Sequence, residues 1–79
     1  MTHALPLGGA PLHAPLLLTG VSVDGRSQRR LVSMGLRAGV RLSVQQRLAG
    51  GGRVVNVGGA RVALGQAVVN GLLVREITQ

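Results

Sequence analysis

Four side chains make up the whole acid–base stock of this 79-residue chain: His3, His13, Asp24 and Glu76. General acid–base catalysis needs such groups convergent and matched in pKa, and their scatter assembles no pair of nucleophile and base. Ser22, Ser27, Ser33 and Ser43 read as caps or surface residues rather than nucleophiles. Lysine is absent, so Gly50-Gly51-Gly52 cannot serve as a Walker A phosphate loop, and the chain should not hydrolyse GTP. Cysteine is absent too, which removes thiolate metal sites and disulfides together. We therefore expect no catalytic residues, no cofactor and no physiological metal site. His3 and His13 could recruit only adventitious zinc or nickel.

What the residues can do is bind. All nine basic residues are arginine, at 26, 29, 30, 37, 41, 47, 53, 61 and 75, and they give a formal net charge of +7. Such a body attracts polyanions and acidic proteins. Arg26, Arg29 and Arg30, with Arg37 just beyond, could form one cationic face that pairs bidentately with a partner's carboxylates. Met34 and Leu36 would supply its apolar centre. The plainer alternative is that the arginines, spread as they are, form a solvated shell, and that Leu31, Met34 and Leu36 belong to the core.

These residues need elements to position them. Leu16 to Val23 is aliphatic and ends in alternation at Val21 and Val23, a half-buried strand with a bend or bulge at Gly20. Asp24 or Ser27 can cap a helix over about Arg26 to Met34, and Gly35 is placed to end it in a left-handed conformation. Val40, Leu42 and Val44 alternate with polar residues, so a strand follows to Arg47. Left as an edge, that strand would allow homodimer pairing, although Arg41 and Arg47 could protect it. Ala49 to Gly52 reads as a flexible hairpin tip, Arg53 to Val57 as the returning strand, Gly58-Gly59 as a tight turn and Arg61 to Leu64 as a third strand. Val68 to Leu73 fits either an Asn70-Gly71 hairpin or a helical turn from about Gly65 to Val69 followed by a strand from Leu72 to Ile77.

Length and composition bound the rest. A chain this short supports one core, built here from Leu, Val, Ala, Met and Ile because Phe, Tyr and Trp are all missing. No apolar run approaches the roughly 18 to 20 residues of a membrane-spanning helix. The first 15 residues carry no Lys or Arg and are broken by Pro6, Pro11 and Pro15, the wrong pattern for a signal peptide. Residues 1–11 are expected as a poorly ordered lead-in and residues 12–79 as the folded domain, in the cytoplasm.

The string Arg30-Leu31-Val32-Ser33-Met34-Gly35-Leu36-Arg37-Ala38-Gly39-Val40-Arg41-Leu42-Ser43-Val44, with Val57 to Leu64 and Leu72-Leu73-Val74 after it, resembles the FeoA family (ferrous iron transport protein A) over roughly residues 12 to 76. Met34 before Gly35, Ala38 before Gly39 and Leu16 to Leu18 depart mildly from the family pattern. The resemblance implies a mainly β fold: a small SH3-like barrel of about five antiparallel strands, one short helix between strands 1 and 2, and a helical turn before the last strand. It implies a cytoplasmic accessory of bacterial ferrous iron uptake that engages the GTPase domain of the transporter FeoB and is drawn through it to the inner membrane. FeoA-like modules also end some metal-dependent repressors; these 79 residues hold no helix-turn-helix or metal-sensing domain beside the module, so a stand-alone module is the expectation. A rival class is a basic module that binds RNA or DNA through phosphates. Its weakness is the absence of any ring on which a base could stack. The same absence removes the aromatic groove that proline-rich peptides need.

Overall fold

The computed structural model describes residues 3–77. Six strands form one sheet: β1 (Leu5–Pro6), β2 (Leu16–Val21), β3 (Arg41–Arg47), β4 (Arg53–Val57), β5 (Ala60–Leu64) and β6 (Leu72–Glu76). Helix α1 (Gly25–Ser33) joins β2 to β3, and the single turn α2 (Gln66–Val69) precedes β6. All strand pairs are antiparallel, in the spatial order β1-β6-β2-β3-β4-β5. The sheet curls as in an SH3-like barrel without closing, so β1 and β5 are its edges.

Period-two alternation decides which side chains turn inward. Leu42 and Val44 of β3, Val55 and Val57 of β4 and Leu72 and Val74 of β6 are buried, while Arg41 and Arg61 face out. The bend expected at Gly20 is a bulge: register with β6 slips between Leu18 and Gly20, and the Thr19 hydroxyl donates to the Leu73 carbonyl at 3.1 Å. At the Gly58–Gly59 turn both φ angles are positive, 59° and 82°, which suits the twist of a two-residue hairpin. Gly71 has a different reason to be glycine. Its backbone lies so close to Ser22 that a Cβ there would collide with the Ser22 carbonyl oxygen.

Three expectations are corrected. Residues 5–10 are not a loose lead-in: Leu5–Pro6 pairs with β6, Leu7–Gly9 forms a 3-10 turn, and Leu7 and Ala10 are buried, Leu7 at 0% exposure. Pro6, one of the prolines that suggested disorder, lies in a two-residue edge strand, where a missing N–H costs no ladder bond. Arg53 fastens this segment, its guanidinium donating to the Gly8 carbonyl at 2.9 Å and the Gly52 carbonyl at 2.8 Å. β3 is not an edge, because β2 pairs with it through Leu16–Leu42 and Leu17–Arg41, and the His13 N–H donates to the Val44 carbonyl at 2.8 Å. The glycine-rich tip is a defined turn, Ala49–Gly51, with positive φ at Gly50 and Gly51 (80° and 91°), closed by the Leu48 N–H on the Gly52 carbonyl at 3.0 Å.

Because Leu7 fills the core rather than preceding it, Leu7→Ala should destabilise the fold by about 2–5 kcal/mol. Urea unfolding followed by far-UV circular dichroism measures this directly; a loss below about 0.5 kcal/mol would return residues 5–10 to the status of a tail.

Candidate functional site

Helix α1 is fixed at both ends by its own sequence. At the start, the Asp24 carboxylate accepts the Ser27 N–H at 2.7 Å. At the end, the Gly35 N–H reaches the Val32 carbonyl at 3.0 Å and the Leu36 N–H reaches the Leu31 carbonyl at 2.8 Å, the paired bonds of a Schellman motif. Gly35 supplies the left-handed residue that motif needs, with φ 86°. Closing the motif swings Leu36 back under the helix.

That turn decides the fate of the expected site residues. Leu36, anticipated as an exposed apolar centre, is 1% exposed and belongs to the core with Leu31. Packing of Leu31 inward turns Arg26, Arg29 and Arg30 outward, since residues three and four apart share a face at 3.6 per turn. All three are exposed, as are Arg37 and Met34, the latter at 36%. The following loop cannot drift, because the Gly39 N–H donates to the Leu18 carbonyl at 2.8 Å and the Leu18 N–H to the Val40 carbonyl at 2.9 Å. Arg37 is therefore held between a buried leucine and a backbone clip.

Sequence reasoning missed Val32, which is 48% exposed on the flank of the arginine face. The signal was available: Leu31, Val32 and Met34 span too wide an arc for a nine-residue helix to bury them all. Val32 and Met34, not Leu36, flank the cations with apolar surface.

His3 and His13 are both exposed, and among the described residues no three His, Asp or Glu side chains gather as metal ligands. No helix of the described residues is long and apolar enough to cross a membrane.

A family model for the FeoA domain matches residues 5–76. The chain belongs to the FeoA family. That family is an accessory, non-catalytic one with a role in ferrous iron transport. The matched segment begins at Leu5, the first residue of β1. Among solved structures, a crystallised iron uptake regulatory protein (FeoA) is 25% identical and superposes with a TM-score of 0.84, covering 95% of this chain and 100% of its own. The FeoA protein of Chlorobium tepidum is 23% identical with a TM-score of 0.85, over 94% of this chain and 71% of that one. A manganese-dependent transcriptional repressor shares the fold at a TM-score of 0.86 and 24% identity, over 98% of this chain and only 44% of the repressor. Among curated proteins none matches significantly.

The Ser27 N–H bond, reinforced by the Ser27 hydroxyl, the Arg26 N–H and the Arg29 charge, holds the Asp24 carboxyl below its ordinary value of 3.8. A lowered carboxylate pKa stabilises the folded state above that ordinary value and loses the contribution as pH falls through the folded one. Thermal melts from pH 7 downward should therefore show α1 weakening below about pH 4. Asp24→Asn should keep the cap while removing its pH dependence, and Asp24→Ala should lower the melting temperature at neutral pH.

Proposed function

We propose that this FeoA-family protein is a non-enzymatic, cytoplasmic accessory of bacterial ferrous iron uptake that binds the GTPase domain of the transporter FeoB. The observation that carries the reading is the exposed arginine face of α1. Arg26, Arg29 and Arg30, with Arg37 beyond the turn, present guanidinium groups able to fork onto carboxylates, and Val32 and Met34 add apolar contact beside them. Leu31 and Leu36 act differently. They hold the helix on the barrel and so aim the face without touching the partner. Recruitment to the inner membrane follows from the transporter being there.

Purified protein and purified FeoB GTPase domain, with and without guanine nucleotide, should form a complex that weakens as salt rises. The double change Arg29→Glu and Arg30→Glu should weaken it about tenfold or more while leaving the melting temperature nearly unchanged. The double change Arg41→Glu and Arg47→Glu, at exposed positions on β3, carries the same loss of net charge away from α1 and serves as its control. Absence of a complex in every nucleotide state, at low and physiological salt, overturns the adaptor reading. Tight, steeply salt-dependent binding of RNA or DNA in a gel shift would replace it.

A further inference from the structure

Strand β5 ends the sheet, so only one side of its backbone is paired. Which groups are left free follows from the hairpin. A two-residue turn makes Val57 and Ala60 a hydrogen-bonded pair, and alternation along the ladder then points the N–H and C=O of Arg61 and Ala63 away from β4. Beside this edge lies a depression of about 130 Å³ lined by Leu31 of α1, Met34 just past its end, Leu64 and Val68, with Arg30 also in its wall. A second depression shares Met34 and continues to Ala60 at the other end of the strand. Together they make a trough that passes Met34 and touches β5 at Ala60 and again at Ala63 and Leu64.

We propose that this trough takes an extended, acidic segment of a partner protein by strand addition to β5. The backbone of the segment pairs with Arg61 and Ala63, one aliphatic side chain seats among Leu31, Met34, Leu64 and Val68, and alternate carboxylates meet Arg30 and Arg61. Charge selects the occupant. The chain carries nine arginines against two acids, and Asp24 is already engaged in the helix cap. A second copy would bring two bodies of +7 edge to edge with Arg61 of each in the seam, which is unfavourable. A proline-rich ligand has no ring to rest on. The edge is open to addition: β5 is five residues long, has no proline and carries only Arg61 as a charged residue. The inference rests on the adaptor reading only for which protein supplies the segment.

The probe is a fluorescein-labelled peptide of about nine residues alternating glutamate and leucine, titrated by fluorescence anisotropy. Binding is expected, with amide exchange slowed at Arg61 and Ala63. Ala63→Pro removes the outward donor while keeping the bonds of Val62 and Leu64 to β4, and should weaken binding roughly tenfold or more. Met34→Glu, at an exposed position, should do the same without touching the β5 backbone, so the test survives if the proline variant fails to fold. No binding by the wild-type protein, or undiminished binding by folded variants, overturns the trough. So does self-association that Ala63→Pro abolishes, since the occupant would then be a second copy. Capture of the GTPase domain unaffected by Ala63→Pro, which lies outside the arginine face, overturns the trough and leaves the adaptor standing; peptide binding without capture of the domain does the reverse.

Discussion

Fourteen aliphatic side chains, none bulkier than leucine, form the buried interior among the described residues, and no polar or charged residue joins them. Without an aromatic ring, no single side chain can fill the centre of the barrel, so the space must be closed by many small contributions from every element. That requirement reaches into segments that look peripheral. Leu7 comes from the N-terminal turn, Leu31 from the helix, Leu36 from the turn after it and Val69 from α2. The connections are thus as much a part of the core as the strands.

The same constraint sorts the surface. No arginine is fully buried in an interior that offers no counter-charge, and the half-buried Arg53 spends its guanidinium on two backbone carbonyls. Its Nε and the Asn56 carbonyl oxygen are the buried side-chain atoms left without a partner among the described residues. The remaining charge is driven outward, and on α1, where only Leu31 is buried, it becomes a face.

Much of this was legible in the residues. Asp24, Gly35 and the alternation from Val40 to Arg47 act locally, through a cap, a left-handed turn and a pleat, and each was found near its observed position. The family pattern resolved the ambiguous stretch from Gly65 to Leu73 in favour of a helical turn, as observed. What local pattern cannot report is which strand lies beside which. Alternation told that Leu42 faces in, but not that β2 covers β3 or that β5 is left at the edge. Leu36 was misjudged for a related reason: burial there depends on the closing of the Schellman turn, a property of six residues acting together. Leu7 was obscured by its prolines, whose meaning changes once an edge strand places them.

A ring-free interior also has an optical consequence. With no Trp, Tyr or Phe, this protein is nearly transparent in the near ultraviolet and has no intrinsic fluorescence of its own. In any mixture with an aromatic-containing protein, the near-ultraviolet signal therefore belongs wholly to that other protein. Quenching or shifting of a partner's tryptophans by this chain would report what its arginines and aliphatics do at the contact, against a silent background.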